Sequence, residues 1–258
     1  MLLFLSGLPL SGAIMLLVIF PTLAAMFGLI LSRRWFNTDD PSSNNEIAGF
    51  KFATVGVIYS VLLAFAVIVV WEKFNEAEAA VVQEAGAAAT LYRLTAGPEP
   101  EMTAIRDALS NYLKLAIDSD WPQMAKEKES REVTQSLGAL YATVLRLTGD
   151  GSSRQAILFE IFKQLDAITQ ARRTRLHLAT GVVPGIVWLV LSSGAILTVG
   201  FTFFFGTRNR SAQIMMTGVL SLLVFLGLFV IVEIDHPFTG PSHVSSEPLR
   251  AVLEDFTR

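Results

Sequence analysis

Four apolar stretches, two on either side of a polar insert of roughly 110 residues, constrain this chain more than any other feature. They run from Leu2 to Leu31, Ala53 to Trp71, Val182 to Gly206 and Ala212 to Ile234. Each meets the length of about 20 apolar residues that a helix needs to cross a bilayer core. The first is too long for a secretory signal, has no basic residue before it and is followed by Arg33 and Arg34, so it reads as a span bent near Pro21.

The 258 residues, 52% of them hydrophobic, then divide into a membrane part and one polar domain of ordinary size. The expected parts are 1–71 with the first two spans, 72–180 as an extramembrane helical bundle, 181–236 with the last two spans, and 237–258 as a C-terminal tail. Net charge is only −3 and Lys and Arg are scattered, which speaks against a nucleic-acid partner and against a polybasic lipid-binding run. With no cysteine, thiol catalysis, disulfides, iron–sulfur clusters and thiolate zinc sites are excluded.

Helical periodicity runs through the insert. From Phe52 the second span reads past Trp71, Glu72 and Lys73 without a proline, and Val81, Ala85, Ala88 and Tyr92 continue an apolar face. One helix to Leu94 would reach roughly 60 Å at 1.5 Å per residue, and Gly97, Pro98 and Pro100 end it. A second helix shows Ile105, Leu109, Tyr112, Leu113 and Ala116 and is expected to stop before Trp121-Pro122. A third carries Val133, Leu137, Leu140, Tyr141, Val144 and Leu147, and the turn at 148–153 offers a serine cap to a fourth. The fourth uses Ile157, Ile161, Leu165 and Ile168 and runs through Arg172 towards the third span. The fold class is therefore an all-α membrane protein, four transmembrane helices with a helical bundle inserted between spans two and three.

An even number of spans puts both termini and the insert on one side. The short loops carry Arg33, Arg34, Lys51, Arg208 and Arg210, whereas the tails offer only Arg250 and Arg258. The positive-inside rule then makes the short loops cytoplasmic and the insert periplasmic. Lys73, Arg172, Arg173 and Arg175 bring the juxtamembrane count close to a tie.

Two faces of the second span are candidate sites. Gly49, Ala53, Gly56, Ser60 and Ala64 form a small-residue stripe that lets helix backbones approach closely in lipid. Opposite them lie Phe50, Thr54, Val57, Val61 and Ile68, which would line a hydrophobic constriction if several copies surrounded an axis. The plainer alternative is that both faces pack against neighbouring helices or lipid.

Ionisable residues avoid the span interiors, which argues against a proton-coupled transporter. Glu46, Lys51, Glu72, Asp235 and His236 sit at span ends as pore-mouth or interfacial charges. Arg172, Arg173 and Arg175 fall in the last turns before the third span, as an interfacial basic collar or as partners for acids on facing helices. The histidines and the acids Glu76, Glu84 and Glu160 lack metal-ligand spacing, and no nucleophile–base pair or phosphate loop occurs. The expectation is a non-enzyme with no metal and no cofactor.

Several short words line up in order along the chain. They are Asn45-Glu46-Ile47-Ala48-Gly49-Phe50, Gly56-Val57-Ile58-Tyr59, Trp71-Glu72, Glu84-Ala85 and Asp120-Trp121-Pro122-Gln123-Met124, then Ala171-Arg172-Arg173-Thr174-Arg175, Pro184 to Trp188 and Asp235-His236-Pro237-Phe238-Thr239-Gly240. Together they resemble the bestrophin-like family of bacterial four-span membrane proteins, over nearly the whole chain. The resemblance implies kinship with pentameric ion channels whose second span lines a hydrophobic neck, and hence a multi-pass protein of the bacterial inner membrane. It implies a homo-oligomer in the lipid bilayer with inorganic ions as permeants. It also implies a cytoplasmic helical domain, opposite to the short-loop charges, so the side of the insert stays open between the two. The bestrophin neck motif and acidic calcium clasp have no clear counterpart here. The leading expectation is a channel or channel-like pore; the alternative is a non-conducting sensor or scaffold that docks a partner through the insert.

Overall fold

The computed structural model describes residues 7–35, 45–147, 152–205 and 209–256. Outside them lie the start of the first apolar stretch, Arg208, Arg258 and the turn at 148–151; of the cap candidates Ser152 and Ser153 only the helical backbone is described. The described elements are all helical. α1 (Leu10–Ile14) passes through a π turn (Met15–Ile19) into α2 (Phe20–Trp35). α3 (Asn45–Leu94) is one helix of 50 residues. α4 (Pro100–Leu115) passes through a second π turn (Ala116–Asp120) into α5 (Trp121–Met124), and α6 (Arg131–Val144) and α7 (Ser152–Leu178) follow. α8 (Gly185–Phe201) ends in a 3-10 turn (Thr202–Phe204), and α9 (Arg210–Ile234) and α10 (Glu247–Asp255) complete the chain.

The residues group into two compact units, Met1–Glu72 with Val182–Asp235, and Lys73–Gly181 with His236–Arg258. In the first, Leu10–Arg34, Gly185–Phe204 and Arg210–Ile234 are long and apolar enough to cross a membrane, as is the helix Ala48–Leu94 that this unit shares with the second. The distortion expected at Pro21 takes the form of the π turn just before it. Pro21 has no N–H for the carbonyl one turn back, and a wider turn absorbs the mismatch.

Within this unit small residues on α8 and α9 receive large ones from α3. A Cβ built on Gly194 would lie 2.5 Å from the Tyr59 ring, and one on Gly227 would lie 2.6 Å from Leu63. Tyr59 also donates its hydroxyl to the carbonyl of Leu191 at 3.2 Å. Gly194→Ala is expected to push that ring off its seat and to lower the thermal midpoint, at a cost of about 1–3 kcal/mol for overpacking; a midpoint equal to wild type would show that Tyr59 yields freely. α8 and α9 run antiparallel. Near the 205–210 connection the Gln213 amide donates to the Phe205 carbonyl at 2.5 Å and Thr217 bonds Thr202 at 3.3 Å, while at the far end Asp235 caps the backbone N–H groups of Val182 and Val183 at 3.0 and 2.8 Å.

The second unit is built as its periodicity predicts. Val81, Ala85, Ala88 and Leu91 from α3 meet Ile105, Leu109 and Leu113 from α4, Val133, Leu140 and Val144 from α6, and Ile161, Leu165 and Ile168 from α7. Ile157 departs from that pattern and is exposed, at the start of α7. Helical structure does not stop before Trp121-Pro122 as expected. The π turn shifts the hydrogen-bond register, and Pro122 then falls in the first turn of α5, where no N–H is required. The segment after the fourth span, expected as a C-terminal tail, packs on the bundle. Trp121 donates its indole N–H to the Val244 carbonyl at 3.0 Å, Leu249 is buried, and Tyr92 stacks on Phe256 with ring centroids 3.7 Å apart.

Candidate functional site

Helical phase divides the surface of α3 into four faces. Tyr59, Leu63 and Val70 turn into the chain's own membrane unit. On the opposite side Thr54 is exposed, as are Val57 at 62%, Val61 at 47% and Ile68 at 51%, and the flank beyond them carries exposed Ile58, Leu62 and Val69. At 100° per residue the small stripe lies about a quarter turn away from that apolar face, not opposite it as expected. Its members make little use of their own chain: Ala53, Ser60 and Ala64 are exposed, a Cβ on Gly56 would meet nothing within 4 Å, and one on Gly49 would have only the Phe205 ring at 3.9 Å. The close helix approaches inside the unit therefore run through Gly194 and Gly227 instead.

The exposed phase continues past the apolar segment through Glu72, Glu76, Ala79, Gln83, Gly86 and Arg93. Lys73 pairs with Glu76 at 2.6 Å, so this acidic stretch is partly neutralised on its own helix. Glu46 and Lys51 are exposed at the start of α3. Asp235 is buried as the cap described above, and His236 is buried with its Nε2 3.1 Å from Glu127.

The arginines do not form one collar. Arg173 is exposed, but Arg172 and Arg175 are buried inside the bundle in a cluster with Glu84 and Asp120. Arg175 Nε donates to Glu84 Oε2 at 2.8 Å, and its NH2 nitrogen reaches Glu84 Oε1 at 3.1 Å and Asp120 Oδ2 at 3.3 Å. Arg172 grips Asp120 with two bonds of 2.9 and 3.2 Å. The Tyr112 hydroxyl donates to Glu84 Oε1 at 2.5 Å, the Ser130 backbone N–H donates to Asp120 Oδ1 at 3.2 Å, and Trp121 lies against the Arg175 guanidinium, 4.6 Å from ring centroid to Cζ. Two cations and two anions cancel, and every carboxylate oxygen accepts at least one bond, which is the condition for burying charge without a large penalty.

Such a cluster is a clamp rather than a reaction centre. It ties α3, α4, the π turn and α7 to one another. Burial disfavours charge on Arg175, but the adjoining Glu84 carboxylate outweighs it and holds the guanidinium pKa above its ordinary value. Burial, then the Glu84 charge, pushes the Tyr112 phenol well above 10.0. Above that pH an unfolded tyrosine gives up its proton while the folded one keeps it, so stability falls as pH rises further. A thermal midpoint followed upward from about pH 9.5 is expected to fall less in Tyr112→Phe than in wild type; equal slopes would mean the phenol ionises freely in the fold. Among the described residues no group of His, Asp or Glu is placed to hold a metal ion.

The family model of the Bestrophin-like domain matches residues 19–249, which takes in all four spans and the insert. The chain belongs to the bestrophin-like family. Crystal structures of two variants of a bacterial bestrophin homologue from Klebsiella pneumoniae are similar to this bestrophin-like chain with TM-scores of 0.69 and 0.70. They share 17% and 14% identity, and the match covers 93% and 95% of this chain and 98% and 97% of theirs. A crystal structure of a membrane protein is similar with a TM-score of 0.71 at 15% identity, over 92% of this chain and 96% of that one. At these identities the shared property is the fold. No curated protein matches. The four spans and the family make the bestrophin-like chain a multi-pass membrane protein.

Proposed function

We propose that this chain forms a homo-oligomeric ion channel, with copies of α3 around a shared axis and Thr54, Val57, Val61 and Ile68 facing the conduit. The observation that carries the reading is the order of faces on α3. The face turned into the chain and the exposed apolar face are opposite, and the unused small stripe lies between them. In a ring, each helix presents one face to the axis, one to its own subunit and two flanks to its neighbours. Ala53, Gly56, Ser60 and Ala64 on one flank would receive Ile58, Leu62 and Val69 on the other flank of the next copy, small against large.

Fold alone does not assign function. An apolar constriction passes ions only when it is wide enough to stay wet, which makes it a gate as much as a filter. Glu46 and Lys51 at one end and Glu72 at the other would then be the charges that ions meet on entering or leaving. Five copies is the number suggested by bestrophin kinship, and inorganic ions are the permeants.

The test is current from purified protein in planar bilayers, beside the mass of the detergent-solubilised particle. An oligomer with reproducible unitary currents supports the reading, and a monomer overturns it. A folded oligomer silent across salts, pH and voltage would favour a membrane scaffold that docks a partner through the bundle.

A further inference from the structure

We propose that Thr22, Thr198 and Ser221 together hold one water molecule inside the membrane unit, as a cross-link between α2, α8 and α9. These hydroxyls are 9%, 3% and 0% exposed by residue, and their oxygens make no hydrogen bond to any protein group. Four other hydroxyls in the spans bond a carbonyl of their own helix: Thr54 to Phe50 at 3.2 Å, Ser60 to Val57 at 2.9 Å, Ser193 to Val190 at 3.2 Å and Thr202 to Val199 at 2.6 Å. That local bond is the usual answer to a hydroxyl in hydrocarbon. Thr22, Thr198 and Ser221 forgo it.

The register of the helices brings the three to one level. α8 and α9 are antiparallel, and the pair Thr202 and Thr217 is bonded at 3.3 Å. One turn further from the connection on each helix, Thr198 comes opposite Ser221, and a further turn brings Ala195 opposite Val224 in a shared cluster. α2 also runs antiparallel to α9. Arg33 near its end bonds the Phe205 carbonyl at 3.1 Å, and Met26 touches the Gly218 position, its Sδ 3.0 Å from a built Cβ. Thr22, one turn before Met26, is then level with Ser221, one turn beyond Gly218.

Neutral hydroxyls from three helices select the ligand. A bound water makes about three hydrogen bonds and needs such partners, whereas three uncharged oxygens return too little to dehydrate a cation. A buried hydroxyl that shares no partner is costly, so a water that satisfies all three stabilises the packing.

The test is a set of thermal midpoints in detergent for Thr22→Val, Thr198→Val and Ser221→Ala, alone and combined. Each single change is expected to lower the midpoint by about 2–4 °C, because the water keeps its cost and loses a partner. The triple variant, with no hydroxyl left to satisfy, is expected to lie at or above the single variants rather than at the sum of their losses. Additive losses, or single changes that raise the midpoint, would overturn the shared site. Thr22→Ser and Thr198→Ser keep the hydroxyl and are expected to match wild type; a loss equal to that of the valine variants would assign the effect to packing and overturn it. Midpoints are expected to be the same in sodium, potassium and choline chloride, and a sodium-specific rise that the triple variant abolishes would overturn water in favour of a cation.

Discussion

Arg175→Met destabilises the bundle by about 3–5 kcal/mol, the loss expected when one partner of a buried ion pair is removed and the other is left charged. The Arg175, Glu84 and Asp120 side chains are all fully buried, so solvent does not screen the result. Glu84 would keep only the Tyr112 hydroxyl, and Asp120 would keep Arg172 and the Ser130 N–H. Arg175→Lys preserves the charge but not the fork that bonds two carboxylates at once, so it should fall between wild type and methionine. Glu84→Gln combined with Arg175→Met removes both charges and should recover much of the loss, a coupling that a double-mutant cycle reads directly. Thermal or urea unfolding followed by helical circular dichroism measures it. A loss below about 1 kcal/mol for Arg175→Met, the range of exposed pairs, would mean that water reaches the cluster and that it does not clamp the bundle.

The signal for this cluster was present in the sequence as polar residues in apolar phase. Arg172 and Arg175 follow Ile161, Leu165 and Ile168 at spacings of four and three, and Glu84 falls three residues after Val81 and four before Ala88. A charge at such a position must either meet an opposite charge or break the helix face, so acids and arginines on two inward faces predict one another. Proximity to the third span allows an interfacial collar as well as acid partners on facing helices, and helical phase favours the partners for Arg172 and Arg175. Asp120 was harder to place. It lies in a π turn, where the 3.6-residue period fails and inward and outward positions cannot be counted from the preceding turns.

The span layout was legible because hydrocarbon enforces long apolar helices, and the continuous helix through Trp71 was legible because no proline or glycine cluster interrupts it. The docking of the last segment on the bundle was not. Phe238, Val244 and Leu249 are too widely spaced to show a helical face, and they are buried as single anchors. The small stripe on α3 says nothing by itself about its partner, since close approach inside the chain uses glycines on other helices.

Val61→Arg abolishes unitary current or reverses its ion preference if α3 surrounds a conduit. A ring of copies would place one guanidinium per subunit in an apolar constriction, where the low dielectric makes each charge felt strongly by a permeating ion. Val57→Arg, about one turn away and more exposed, should act in the same direction. Ala64→Leu supplies the contrast. It adds bulk on the small flank without charge, and in a ring it would weaken assembly, so it should lower the oligomer fraction rather than change selectivity. If the exposed apolar face met lipid instead, arginine at Val61 would lie in hydrocarbon at a cost of about 2.5–3.5 kcal/mol on insertion scales, and the visible effect would be poor membrane insertion. The discriminating result is therefore a Val61→Arg protein that inserts and assembles as wild type does: altered current from it supports an α3-lined conduit, and unaltered current excludes that face from the path of the ions.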